Sequence, residues 1–168
     1  MRIRPMTADD ANAVLAIYGE GIATFNATFD TDPGTWKSWD ERFLPLCRLI
    51  AEEDGEVLGW AALSAASSRY VYRGVAEVSL YIGAAHRKRG VGKKLMEKLV
   101  TASEAACFWT LQAHIFQEND ASLGLHAAFG FTTVGIRERM GLMAAGPLKG
   151  QWRDAVLMER RSDVVGTD

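Results

Sequence analysis

Short apolar runs bounded by turn residues take turns along this chain with stretches whose apolar residues recur every three or four positions. Ile3 to Pro5 reads as a short first strand. Thr7 then offers a helix N-cap with Asp10 three residues on, close to a capping box. Val14, Leu15, Ile17 and Tyr18 share one face of the helix that follows. Ala27 to Trp36 has the chemistry of a loop, with a turn at Asp32-Pro33-Gly34, and WKSWDERFLPL predicts a second helix ending near Pro45. Two apolar runs flank Asp54-Gly55, a strong signal for a tight hairpin. VAEVSLYIG predicts a strand, and GVGKKLMEKLVTASEAA an amphipathic helix with Leu95, Met96, Leu99 and Val100 facing inward. FWTLQAHIF predicts another strand, and ENDASLGLHAAFG a helix stopped at Gly130, a natural residue for that position. FTTVGIRERM and WRDAVLMERR close the series as strands, and Ser162 to Asp168 reads as a loose tail.

The order is strand, two helices, hairpin, strand, helix, strand, helix and two strands. It predicts an α/β (α+β) fold, one domain over 1–168, with a mixed sheet and helices on both faces. The order is not a clean βαβ alternation, which counts against a dinucleotide-binding fold. A length of 168 residues suits one domain with a substantial core. With 19 Lys and Arg against 21 Asp and Glu, the net charge is near −2. That balance argues against a general nucleic-acid or membrane-surface binder but leaves room for a small basic pocket. Cys47 and Cys107 are far apart and show neither redox nor metal spacing, so they read as buried, reduced thiols of a cytoplasmic protein. MRIRPMTADD has no apolar signal-peptide core, and no apolar stretch is long enough to cross a bilayer. No histidine–carboxylate set has metal-ligand spacing, so no metal is expected. His86 reads as a surface residue and His114 as a sheet residue without a partner.

The chemistry concentrates where the strand ending at Gly83 passes into the helix beginning near Gly90. Arg87 to Gly92 reads R-K-R-G-V-G. Glycines at 90 and 92 let backbone bend closely around a ligand. The free N–H groups and positive dipole of a helix start favour an anion, and Arg87, Lys88, Arg89 and Lys93 add fixed charge. The stretch therefore reads as a pyrophosphate cradle, or as a solvated basic helix entry without a ligand. It matches neither the P-loop nor the Rossmann fingerprint, so ATP and NAD fit poorly.

R-x-x-G-x-G between a strand and a helix resembles the acyl-CoA motif of the GCN5-related N-acetyltransferase (GNAT) superfamily. NDASLGLHAAFGF, from Asn119 to Phe131, resembles that superfamily's later N-x-x-A-x-x-x-Y-x-x-x-G-F helix, with Ser122 in place of Ala and His126 in place of Tyr. ATFDT, RYVYRGVAEVSLYI and KGQWRD are similar to segments of its phosphinothricin/methionine sulfoximine acetyltransferase family. The likeness runs from about Ile3 to Arg160.

The resemblance implies a mostly antiparallel central sheet, splayed at the acyl-CoA site by a local bulge. Backbone groups of Leu80, Tyr81 and Ile82 would hold the pantetheine arm, and Arg87, Lys88, Arg89, Gly90, Val91, Gly92 and Lys93 the pyrophosphate. The Asn119 amide would also bond the cofactor, although it serves equally as a plain helix N-cap. Glu77 matches the family's proposed general base; otherwise it is a strand-end carboxylate paired with Arg73 or solvated. His126 takes the place of the general acid, or is a buried histidine bonded to a carbonyl. Arg69, Tyr72 and Arg73 flank Glu77, where an arginine suits a substrate carboxylate or is mere surface charge, and Phe29 would wall the pocket. The implied activity is acetylation of the α-amine of a small amino-acid-like molecule by acetyl-CoA, in a homodimer. Acetylation of a protein N-terminus or lysine, and a non-catalytic acyl-CoA-binding module, are the alternatives.

Overall fold

Seven strands form one sheet in the order β1-β2-β3-β4-β5-β7-β6. The structure, a computed structural model, describes residues 1–167. The strands are β1 (Arg2–Pro5), β2 (Leu49–Glu53), β3 (Glu56–Ala65), β4 (Val75–Ile82), β5 (Thr110–Phe116), β6 (Thr132–Leu142) and β7 (Trp152–Arg161). The helices are α1 (Ala11–Ile22), α2 (Trp36–Arg42), α3 (Val91–Ala105) and α4 (Asp120–Ala128). Neighbouring strands run antiparallel except β4 and β5, which are parallel. Among the described residues no helix is long and apolar enough to cross a membrane.

Local chemistry sets most boundaries. The Asp10 carboxylate accepts the Thr7 N–H at 2.8 Å, and a short 3-10 turn over Ala8–Asp10 leads into α1. Asp54 and Gly55 both have positive φ, 52° and 82°, as a two-residue type I′ hairpin between β2 and β3 requires. The second helix stops at Arg42 rather than near Pro45, because Phe43 turns extended and buries its ring on Trp39 and Trp60.

The side-chain alternation of the strands divides the core in two. Ala76 and Val78 of β4 pack with Leu111, Ala113 and Ile115 of β5 beneath α3 and α4, with Leu80 and Ile82 at the margin. The opposite face holds Ile50, Trp60 and Ala62 against α1 and α2, with Tyr81 at the margin. Trp60 is fully buried, stacks on Tyr81 and donates its Nε1–H to the Val14 carbonyl at 3.1 Å.

Two details depart from the sequence reading. The Ser162 hydroxyl accepts from the Val164 and Val165 N–H groups and donates to Glu104, and Gly166 lies against Trp109. The segment 162–167 is thus tied to the body rather than loose, while Asp168 lies outside the described residues. Cys107 is exposed and Cys47 only half-buried. Each sits at a positive φ in a turn rather than inside an element, 63° for Cys107 and 61° for Cys47.

Candidate active site

β4 and β5 pair only at Val75↔Thr110, Ala76↔Leu111 and Glu77↔Gln112. Beyond Glu77 they part, and the edge of β4 from Val78 to Ile82 has no strand beside it. The bulge expected in β4 is not the cause. Its register with β3 runs unbroken from Ala65↔Ala76 to Gly59↔Ile82. The slot opens because parallel pairing with β5 stops, leaving backbone N–H and C=O groups available on one edge.

Glu77 stands where the strands part. It shares a sheet face with Ser79 and Tyr81, and with Gln112 and His114 of β5. Its Oε1 lies 3.2 Å from His114 Nδ1, and its Oε2 lies 3.5 Å from Gln112 Nε2. Burial pushes the carboxyl towards protonation, but the contacts with His114 and Gln112 and the field of Arg42 outweigh it and hold the pKa below the ordinary value. Glu77 is therefore ionised at neutral pH. Arg42 bonds Asp30 at 2.7 Å and the Tyr18 hydroxyl at 3.1 Å, and Tyr18 packs edge-on against Tyr81. One side of Glu77 thus faces an ordered polar cluster. Arg73 does not pair with it.

The basic loop lies at the mouth of the slot. Gly90 caps α3 with φ 82° and no side-chain cap. The first helical bond runs from the Lys94 N–H to the Gly90 carbonyl, which leaves the N–H groups of Val91, Gly92 and Lys93 without helical acceptors. A Cβ on Gly92 would lie 3.2 Å from Leu125, 3.9 Å from Leu80 and 4.0 Å from Ile82, so this turn sits against the end of β4 and against α4. Lys88 and Lys93 are exposed. Arg89 instead bonds Glu53 at 2.7 Å, and Arg87 Nε approaches the Ile82 carbonyl at 3.4 Å. His86 is packed rather than loose on the surface, facing Glu56 at 3.2 Å with its side chain 12% exposed.

The remaining expected residues spread around this frame. Asn119 does both things its type allows at a helix start. Its Oδ1 accepts the Ser122 N–H at 3.1 Å, and its Nδ2 donates to the Asn26 carbonyl at 2.9 Å. One amide N–H is left over. Phe29 packs edge-on against Phe116 of β5 and covers Gly141 of β6. Arg69, Tyr72 and Arg73 lie on or beside the 3-10 turn that enters β4. Arg69 lies over Tyr72, and Arg73 over Tyr70 and Trp109.

His126 is buried, 4% exposed, with its ring edge-on to Phe131. Nδ1 donates to the Ser122 carbonyl at 2.8 Å. Burial pulls its pKa below the ordinary value, and the carbonyl bond opposes this only in part. The ring is neutral, and among the described residues Nε2 is a buried acceptor without a partner. In this state His126 takes up a proton more readily than it gives one.

Several side chains matter that the sequence did not mark. The Arg153 guanidinium lies 3.8 Å above Phe116. It donates to the Phe25 carbonyl at 2.7 Å and to Asn26 Oδ1 at 2.8 Å, and it pairs with Glu118. It thereby fastens the loop after α1 to the loop before α4. His114, expected as a sheet residue without a partner, faces both Glu77 and Arg137, and Arg42 and Arg137 were equally unmarked, because only strand register and the lie of α2 across the sheet bring these groups together. Two open depressions, of about 430 and 340 Å³, lie along β1 and the outer side of α3, away from Glu77.

The model of the Acetyltransferase (GNAT) family matches residues 16–131. A phosphinothricin N-acetyltransferase of Alcaligenes faecalis is 34% identical, over 94% of this chain and 81% of its own length. An L-methionine sulfoximine/L-methionine sulfone acetyltransferase of Salmonella typhimurium is 30% identical, over 97% of this chain and 95% of its own. The crystal structure of a GNAT superfamily phosphinothricin acetyltransferase from Sinorhizobium meliloti, in complex with acetyl-CoA, superposes with a TM-score of 0.84 at 27% identity, covering 99% of this chain and 96% of that one. With a family match over more than half its length and relatives aligned nearly end to end, the chain belongs to the acetyltransferase (GNAT) family.

Proposed function

We propose that the chain transfers an acetyl group from acetyl-CoA to the α-amine of a small amino-acid-like substrate of the phosphinothricin or methionine sulfoximine/sulfone type, with Glu77 as general base. The observation that carries this is the ionised Glu77 at the point where β4 and β5 part.

The residues fit acetyl-CoA on three grounds. The first turn of α3 presents free N–H groups and no side-chain cap. The strand edge from Val78 to Ile82 is unpaired, and Glu77 to Ile82 spans roughly 17 Å at about 3.3 Å per residue, suited to an extended pantetheine arm. Among the described residues His126 Nε2 is a buried acceptor without a partner. When bound, acetyl-CoA supplies the acyl group as a thioester. Gly90, Val91, Gly92 and Lys93 would hold the pyrophosphate through backbone N–H groups, with Lys88 and Arg87 adding charge. Arg89, committed to Glu53, contributes by fixing the loop. Leu80, Tyr81 and Ile82 would bond the amides of the arm through backbone, helped by the spare Asn119 N–H. An N–H on that edge would polarise the thioester carbonyl.

An amine arrives protonated at neutral pH. Glu77 accepts that proton, directly or through a water, and frees the nitrogen lone pair. The neutral His126 has no proton to give the departing thiolate through Nε2; it would act as acid only after taking one up, and would otherwise accept a hydrogen bond from a water. Arg73 and Arg69 would hold the substrate carboxylate once they leave their aromatic neighbours, with Tyr72 and Phe29 as apolar walls. The protein acts as a homodimer. An eleven-residue edge strand, β6, exposes Val134, Ile136, Met140 and Leu142 beside Trp152, more apolar surface than an isolated edge carries comfortably.

Free CoA release from acetyl-CoA, measured with a panel of amino acids and peptides, tests this reading. Turnover with phosphinothricin, methionine sulfoximine or methionine sulfone, and not with peptides, is the expected result. Turnover confined to peptides, or none with any amine, would overturn it.

A further inference from the structure

β5 carries a side chain that the reaction above does not use. His114 lies two residues beyond Gln112, the register partner of Glu77, and on the same face of the sheet. Its Nδ1 is 3.2 Å from Glu77 Oε1, and its Nε2 is 3.1 Å from Arg137 Nη1. Arg137 reaches it from β6, where it pairs with Ala155 of β7, itself the partner of Phe116. Three strands thus bring a carboxylate, an imidazole and a guanidinium into one line.

The direction of each bond follows from its ends. A guanidinium only donates, so the Nε2 facing Arg137 is the acceptor. The ring proton then lies on Nδ1, where it meets a carboxylate that only accepts. Both nitrogens are committed, and the imidazole side chain is 18% exposed. We propose that His114, held as the Nδ1–H tautomer by Arg137, is a positioning residue for Glu77: it fixes Oε1 and leaves Oε2 as the oxygen that receives the substrate's proton. The proposal rests on the reading of Glu77 as the base.

A lone carboxylate on a strand rotates between rotamers, and either oxygen can turn to solvent. Anchoring one oxygen removes that freedom before substrate arrives. The opposite oxygen has a weak competitor, since Gln112 reaches Oε2 only at 3.5 Å. The other polar and charged groups facing Glu77 are Arg42 on α2, which adds a field favouring the ionised carboxyl, and Asp30 and Tyr18, which hold Arg42. Tyr81, next but one to Ser79 on the same face of β4 as Glu77, is half-buried, and loss of solvation raises its phenol well above the ordinary value and keeps it neutral. None of these touches Oε1.

The experiment follows the Glu77 carboxyl by ¹³C NMR against pH, with kcat/KM profiles on the same proteins: the parent, His114→Ala, His114→Asn and Arg137→Met. In His114→Ala the carboxyl titration and the acid limb of kcat/KM should both move to higher pH by the same amount. His114→Asn, which keeps an N–H donor, should recover part of the shift. In Arg137→Met the ¹⁵N spectrum of His114 should change from one tautomer to a mixture. Acetyl-CoA affinity should stay constant throughout. If a folded His114→Ala left both the carboxyl titration and the acid limb unmoved, the positioning role would be overturned. If the carboxyl moved and the acid limb did not, the base assignment of Glu77 would fall instead, while the bond from His114 would stand.

Discussion

Single residues here act through a few well-placed contacts. His126 is the buried imidazole whose folded pKa is depressed, chiefly by burial and against the carbonyl of Ser122. As pH falls, the unfolded chain binds this proton first, so the stabilisation is whole above about pH 6.5 and is lost as pH drops from there through the folded pKa. His126→Phe keeps an aromatic ring beside Phe131 and removes the titration. Its urea midpoint should therefore decline less than the parent's between neutral and mildly acidic pH, and equal declines would contradict the neutral burial. Glu77 was legible in the sequence, since it heads a strand and the motif likeness marks it. His114 was not. Nothing in FWTLQAHIF says that its fifth side chain from Thr110 will meet a carboxylate on another strand, because that meeting depends on the parallel register of β4 and β5. Arg42 was hidden for a like reason, as its approach depends on how α2 lies across the sheet.

Elements show what local chemistry can and cannot specify. The hairpin at Asp54-Gly55, the start of α3 at Gly90 and the stop at Gly130 follow from backbone conformations that these residues favour, and all three glycines have positive φ. The opening beside β4 followed different physics. It was expected as a bulge, a local feature, and is instead a loss of pairing with β5, which depends on where two distant segments diverge. The junction of α3 with β4 carries a direct test. Gly92→Val places methyl groups where Leu125, Leu80 and Ile82 already pack. The first turn of α3 should shift, with a modest stability cost of about 1–3 kcal/mol. Acetyl-CoA affinity by calorimetry should fall by about tenfold or more, each factor of ten being ~1.4 kcal/mol. An unchanged affinity in a folded variant would remove the cradle from this turn.

At the scale of the whole molecule, the element order was legible because each amphipathic segment has one place to bury its apolar face. The tail was misjudged because Ser162 and Gly166 hold it through contacts with Glu104 and Trp109 that no local pattern announces. The exposed β6 edge bears on assembly. Ile136→Glu with Leu142→Lys should convert the proposed homodimer to monomer by light scattering at micromolar concentration, and a parent that is itself monomeric there would refute the dimer. On the proposed reading the activity depends on the slot between β4 and β5, the α3 cradle and Glu77 together, and the carboxylate is the part that can be altered without changing shape. The decisive measurement is turnover of acetyl-CoA with phosphinothricin or methionine sulfoximine by Glu77→Gln against the parent over a range of pH. A positioned base is worth about 10²- to 10⁴-fold, so the variant should lose turnover by that order near neutral pH, with the deficit shrinking as pH rises and free amine accumulates. Turnover by Glu77→Gln within about threefold of the parent at every pH, far below the range for a positioned base, would contradict it.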